Sequence, residues 1–228
     1  MAVTCFLPCR SGSERVPRKN LRPFAGFSRG LIEIKLRQLL QARLVDRIVL
    51  STDDEEILEY AASIGDSRLQ LHRRDPSLAS SATRTDELVG HVLDLIPEGH
   101  ILWTHVTSPF FGASHYDQAI EQYFTALSGA HDSLMTVGEI RGFLWDQRGP
   151  LNYDRSIEKW PRTQTLDPVF EINSAAFIAS AGIYSRLHDR IGERPFLQPV
   201  NAIEGFDIDW EDDFQIAQAL LSSGVASI

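Results

Sequence analysis

Short apolar runs of strand type alternate with segments of helical period from residue 2 to residue 127, and this alternation restricts the fold more than any other feature. Residues 2–7 form an apolar run that Pro8 stops. In residues 31–42, Leu31, Ile34, Leu36, Leu39 and Leu40 gather on one side of a helix. A second strand is predicted over 48–52, and helical spacing returns at Ile57, Leu58, Ala61 and Ile64. A weaker strand at 68–72 leads into a Ser/Thr-rich turn over 77–85. A helix through Leu88, Val89, Val92, Leu93 and Ile96, a strand over 101–106 and an amphipathic helix over 114–127, with Ser114 as its N-cap, complete the series. Such a series folds as βαβ units in a mainly parallel sheet with helices on both faces, and ligands then sit beyond the carboxyl ends of the strands. Those ends carry Arg10, the pair Asp53 and Asp54, the turn around Ser80, and Thr107-Ser108-Pro109.

The first of these ends has the clearest chemistry. Residues 6–20 run from the apolar strand through Ser11, Gly12 and Ser13 to Arg15, Arg18, Lys19 and Asn20. Small residues let backbone N–H groups approach phosphate oxygens, and guanidinium and ammonium groups neutralise the charge, so this loop is suited to a polyphosphate. It is neither a GxxxxGK[ST] loop nor a GxGxxG loop. The chain is acidic, with a formal charge of −9, which argues against general nucleic-acid binding and makes the local cation excess informative.

Cys5 and Cys9 match neither a CxxC redox pair nor a zinc site and read as free thiols. The amino terminus has no basic segment before an apolar stretch, and no run approaches the ~20 apolar residues of a membrane helix. The expected setting is a reducing cytoplasm, without membrane or nucleic-acid partners. The 228 residues fit one domain, 1–228. Within it residues 139–168 lack a sustained period but contain Trp145, Tyr153 and Trp160, which marks them as a lid or a subunit-contact arm. Near the end, Asp207-Ile208-Asp209 alternates in an extended segment, so both carboxylates face one way, as two ligands of one hard cation must. Asp209 could instead cap the helix that follows, and Asp53 or Asp54 could cap the helix at 55. His105 is a structural histidine or a substrate contact.

The segment SGSERVPRKN after a strand resembles the motif of the CMP-sugar synthetases, the cytidylyltransferases that activate sialic acid, its relatives and Kdo. The match holds at Arg10, Ser13, Arg15, Pro17, Lys19 and Asn20, with Glu14 where a lysine is usual. DRIVLSTDD at 46–54 resembles the family's second strand, and Asp207 and Asp209 its paired magnesium ligands. Arg74 and Ser80 align with the nucleotide-side turn, and Thr107-Ser108-Pro109 with its T-S-P element, where His105 replaces a glutamine and Phe111 an arginine. Arg162 with Gln164, and Asn173 with Phe177, resemble the R-x-Q and N-G-A-x-Y elements, with Ser174 replacing the glycine and phenylalanine the tyrosine.

The resemblance implies a three-layer α/β/α, Rossmann-like, mainly parallel sheet with a protruding arm at 139–168 that exchanges in a homodimer. It implies transfer of CMP from CTP to an acidic sugar of the nonulosonic type, with Mg²⁺ on Asp207 and Asp209. Arg10, Arg15, Lys19 and Asp209 would be catalytic. Arg10, Ser11, Gly12, Ser13, Lys19, Asn20, Arg74 and Ser80 would bind nucleotide. His105, Thr107, Ser108, Arg162, Gln164, Asn173 and Phe177 would bind the acceptor. A cytidylyltransferase for a non-sugar acid or phosphonate, and a non-catalytic nucleotide-binding relative, are the alternatives.

Overall fold

The computed structural model describes residues 2–79 and 83–228. Its strands are β1 (Val3–Pro8), β2 (Arg47–Thr52), β3 (Leu69–Arg73), β4 (His100–Trp103), β5 (Ser133–Ile140), β6 (Trp145–Asp146), β7 (Gly149–Pro150), β8 (Val169–Ser180) and β9 (Pro195–Val200). Its helices are α1 (Gly30–Gln41), α2 (Glu55–Ile64), α3 (Thr85–Leu95), α4 (Ala113–Leu127), α5 (Ala181–Leu187) and α6 (Glu211–Ser222). The main sheet has the order β3-β2-β1-β4-β8-β5-β9. β1, β2, β3 and β4 run parallel, β8 runs against both β4 and β5, and β9 is parallel to β5.

Alternation along the strands sends successive side chains to opposite layers. Cys5, Leu7, Ile48, Leu50, Leu102 and Ile178 pack with α1, α2, α4 and α6. Phe6, Val49, Ile101, Trp103 and Phe177 pack with α3 and α5. This is the expected three-layer α/β/α arrangement with a mixed, mostly parallel sheet. One local expectation is corrected. Gly112, not Ser114, holds the cap position of α4, where its N–H donates to His115 Nδ1 at 3.0 Å, so Ser114 lies inside the first turn. β9 was not legible because Pro195 and Pro199 interrupt a strand pattern; at the sheet edge both are tolerated.

The long segment between β1 and α1 is held by its own apolar residues. Val16, Leu21 and Phe24 are buried, each contributing on the order of 1.5–3 kcal/mol. Arg18 takes a positive φ of 53° to close the turn in which the N–H groups of Leu21 and Arg22 donate to its carbonyl. Gly30 then opens α1 with φ 56°, tight against the backbone of Arg22. A Cβ there would run into the Arg22 carbonyl in a conformation L-residues avoid. Gly30→Ala is therefore expected to cost at least about 2 kcal/mol of unfolding free energy, read as a lower urea midpoint at unchanged slope.

Residues 139–168 fold locally around an aromatic cluster. Phe143 meets Tyr153 and Trp160 edge-on at 5.2 and 5.4 Å, and the Arg155 guanidinium lies over Trp145 and Trp160. Trp145, Leu151, Ile157 and Trp160 remain exposed.

Candidate active site

The parallel strand ends and the two sequence-distant motifs meet at a cleft of about 470 Å³. Its lining includes Arg10, Ser13, Glu14, Arg15, Lys19 and Asn20 from the β1 loop, Arg74 and Thr83 beyond β3, His105 and Thr107 beyond β4, and Asp207 and Asp209. Because β8 runs antiparallel to β4, its early residues lie at the same end, and Ser174 joins the lining.

Three contacts bring the carboxyl-terminal motif to the loop. Lys19 Nζ donates to the Ile208 carbonyl at 2.7 Å, the Ile208 N–H donates to the Thr107 carbonyl at 2.9 Å, and Arg22 grips Glu211 at 2.9 and 2.7 Å. Ile208 itself is fully buried, so the extended segment turns both neighbouring carboxylates toward the cleft. Asp209 is not the cap of α6: Trp210 occupies that position, and Asp213 accepts from the N–H groups of Asp209 and Trp210. Asp209 instead receives Arg15 at 2.7 Å, with Lys19 at 3.8 Å, and the Arg15 guanidinium lies 5.0 Å over Trp210. Burial lowers the Lys19 ammonium, against the pull of Asp209 and Asp207.

The acidic end of β2 divides its work. Asp54 caps α2 through the N–H groups of Glu56 and Ile57, while Asp53 accepts from the Ser11 N–H at 3.0 Å and its hydroxyl at 2.7 Å. Ser11 is therefore committed to shaping the loop and does not line the cleft. Gly12 also lies outside the lining. Asn20 braces the loop by donating to the Arg10 carbonyl at 3.1 Å, and Arg74 donates to the Cys9 carbonyl. Ser80 lies outside the described residues. Glu14 lines the cleft and forms no ion pair among the described residues.

On the acceptor side, His105 Nε2 faces Trp103 Nε1 at 3.1 Å and an Arg190 nitrogen at 3.3 Å. Burial, then Arg190, Lys19 and Lys35, push its imidazolium down to about 3, so the ring is neutral across the ordinary range. Thr107 lines the cleft, but Ser108 is fully buried behind it. Asn173 is engaged by the Thr136 hydroxyl at 2.6 Å, and Phe177 is a core residue under Arg190. Arg162 and Gln164 are exposed on the 139–168 segment and do not reach the cleft of their own chain. Lys35 and Arg190 were missed as supporting residues, because their partners are remote in sequence and no local pattern announces them; Asp53 stands at the site end of β2 as the sequence places it, holding Ser11.

Two carboxylates can hold a magnesium ion when phosphate oxygens and water complete the shell. Asp207 Oδ1 is buried with no donor among the described residues, an acceptor left free for a cation. No group of three or more His, Cys, Asp or Glu side chains among the described residues is arranged for a metal, so the substrate would have to supply the remaining ligands.

The family profile described as cytidylyltransferase matches residues 4–140. The chain belongs to the cytidylyltransferase family. It is 31% identical over 128 residues to the pseudaminic acid cytidylyltransferase of Campylobacter jejuni, covering 54% of this chain and 53% of that protein. It is 27% identical over 233 residues to the CMP-N,N'-diacetyllegionaminic acid synthase of Legionella pneumophila, with 97% of each covered. The chain spans about half the length of the pseudaminic acid and N-acylneuraminate cytidylyltransferases it matches. Among solved structures, a CMP:2-keto-3-deoxy-manno-octonic acid synthetase complexed with CTP superposes with a TM-score of 0.69 at 17% identity, over 98% of this chain and 100% of that one. That likeness establishes the cytidylyltransferase chain as a member of the same fold.

The cleft floor of this cytidylyltransferase rests on a buried lysine. Lys35 Nζ donates to the carbonyls of Ser108 at 2.8 Å and Phe111 at 3.2 Å and to the Tyr116 hydroxyl at 2.6 Å. Burial lowers its ammonium from 10.5 to about 7. Between those values the unfolded chain binds the more protons, so the penalty is full below about pH 7 and is relieved as pH rises. Wild-type stability relative to Lys35→Met should climb between pH 7 and 9.5, by at most about 1.4 kcal/mol per unit. Urea unfolding of both proteins at pH 6.5, 8 and 9.5 checks this; a constant difference would contradict it.

Proposed function

We propose that this chain transfers CMP from CTP to an acidic sugar of the nonulosonic acid class and releases pyrophosphate. The observation that carries this reading is the convergence of Arg10, Arg15 and Lys19 with Asp207 and Asp209 on one cleft. The names of the pseudaminic and legionaminic acid relatives support the acceptor class.

In the reaction an acceptor hydroxyl oxygen forms a bond to the α-phosphorus, the bond from that phosphorus to the β-phosphate oxygen breaks, and the hydroxyl proton leaves to solvent. Arg10, Arg15 and Lys19 would stabilise charge on the departing pyrophosphate, from a framework already fixed by the Ser11–Asp53 and Asn20–Arg10 contacts. Lys19 is especially constrained, because its ammonium also holds the Ile208 carbonyl. Asp207 and Asp209 would hold Mg²⁺, which when bound acidifies a hydroxyl and neutralises phosphate charge. His105 and Thr107 would face the acceptor. The exposed Trp145, Ile157 and Trp160 fit a segment that packs on a second subunit, and exchange of this arm would bring Arg162 and Gln164 to the partner's cleft. Two buried free thiols and a CTP requirement fit a cytoplasmic setting; no helix among the described residues is long and apolar enough to cross a membrane.

Asp209→Ala should lower turnover by about 10²-fold or more with the fold retained, and Lys19→Ala should lower kcat/KM for CTP by about 10- to 100-fold. Pyrophosphate release from CTP and Mg²⁺, against a panel of nonulosonic acids, Kdo and phosphonates, measures both. Glu14, which lines the cleft where a lysine is usual in the family it resembles, favours a second reading as a nucleotide-binding relative without catalysis. CTP binding by calorimetry without pyrophosphate release for any acceptor would select that reading.

A further inference from the structure

The loop after β4 is held from below by α1. Lys35 Nζ donates to the carbonyls of Ser108 and Phe111 at 2.8 and 3.2 Å, and Gln38, three residues on along the same helix face, donates from Nε2 to the Pro109 carbonyl at 2.7 Å. The carbonyl just before these, that of Thr107, accepts the Ile208 N–H. The backbone from Thr107 to Phe111 is thus tied down through its acceptors. Its side chains add little, since Ser108 Oγ is buried without a partner among the described residues. Thr107 is the end of this loop that lines the cleft, and through Ile208 it also steadies the segment that carries Asp207 and Asp209. Lys35 and Gln38 are buried and do not line the cleft, so what they do for the site passes through this loop.

The proton count at Lys35 is closed. Thr104 has one hydroxyl proton and directs it at the Ala175 carbonyl at 2.7 Å, so in the 2.8 Å contact between Thr104 and Tyr116 the proton comes from Tyr116. Tyr116 can then only accept from Lys35, at 2.6 Å. Two carbonyls and this hydroxyl require three N–H donors, which an ammonium has and an amine lacks. Deprotonation therefore leaves one of the three acceptors without a donor. The groups facing the ammonium do not replace it. The Cys5 thiol of β1 and the Tyr116 hydroxyl of α4 are pushed up by burial and stay neutral, the His105 ring is neutral, and the Asp207 carboxylate favours the charge without pairing with it. Burial brings the ammonium down to about 7, so the third donor is lost as pH rises through neutrality.

We propose that Lys35, together with Gln38, is a positioning residue for the acceptor side: the three donors of the ammonium hold Thr107 at the cleft, and the amine holds it less firmly. This role rests on the cytidylyltransferase reading. One proton then acts with opposite signs on two properties. Stability rises with pH, because the folded chain binds this proton less tightly than the unfolded one, whereas the hold on Thr107 weakens. A lysine that served only the fold would leave activity per folded molecule independent of this proton.

The test uses the full chain with CTP, Mg²⁺ and the nonulosonic acid it turns over fastest, and compares the wild type with Lys35→Met and Gln38→Leu at pH 6.5, 8 and 9.5, at a temperature where the proteins are folded. At pH 6.5 Lys35→Met should raise KM for the acid by about tenfold and Gln38→Leu by about fivefold. KM for CTP should stay within about twofold in both, because the β1 loop has its own braces in the Ser11–Asp53 and Asn20–Arg10 contacts. The ratio of wild type to Lys35→Met in kcat/KM for the acid, in which titrations common to both cancel, should fall by about fivefold from pH 6.5 to 9.5. The ratio of wild type to Gln38→Leu should stay constant, since both chains keep the lysine, and this variant carries the test of the loop if Lys35→Met does not fold. KM for the acid within twofold of wild type in the folded variants, an equal rise in KM for CTP, or a wild-type to Lys35→Met ratio that is flat or rises with pH overturns the proposal alone. Absence of pyrophosphate release by the wild type with every acid overturns it together with the cytidylyltransferase reading.

Discussion

The site depends on the backbone of a single residue. Ile208 donates its N–H to the strand-end loop after β4 and accepts Lys19 from the loop after β1 on its carbonyl. Its side chain is sunk in the core, so neither flanking peptide can turn without exposing that side chain or breaking one of the two bonds. The neighbouring carboxylates inherit this fixity. A short extended segment with no sheet partner of its own, among the described residues, thereby becomes as well placed as a strand. The ion pair of Arg22 with Glu211, more than a third exposed at each end, adds modestly to the same docking.

Beneath it lies a polar chain in an apolar layer. Lys35 donates to Tyr116, the Tyr116 hydroxyl to Thr104 at 2.8 Å, and Thr104 to the Ala175 carbonyl at 2.7 Å. Each group is buried, and the loss of one would strand the next, so the chain enforces the relative placement of α1, α4, the end of β4 and the middle of β8. An ammonium without a buried carboxylate is an expensive core component. Its bonds to the Ser108 and Phe111 carbonyls fix the loop behind Thr107 at a stability cost.

Much of this was legible in the residues. The alternation of apolar runs named the layers because periods of 2 and 3.6 survive wherever an element has one buried face. The β1 loop announced itself through small residues next to cations, and the Asp-Ile-Asp segment through its resemblance to the family's paired aspartates, with alternation turning both carboxylates one way. What could not be read was pairing between remote positions. Ser11 looks like a phosphate donor until Asp53 claims it, and Ser108 looks like an acceptor contact until the fold buries it over Lys35. Arg190 sits in an unremarkable polar turn, and only the fold lays it on Trp103 and Phe177. β9 was hidden for a different reason: an edge strand tolerates prolines that a central strand could not, which erases its signal.

The contact between Arg15 and Asp209 gives the cleft a thermodynamic property as well as a shape. Without ligands, the guanidinium and the carboxylate neutralise each other, so the cleft presents little net field at that point. An anion that draws Arg15 away leaves Asp209 with unspent charge, and a cation that engages Asp209 releases Arg15. Two ligands of opposite sign that compete for the halves of one ion pair necessarily favour each other's binding, and by the same factor in both directions.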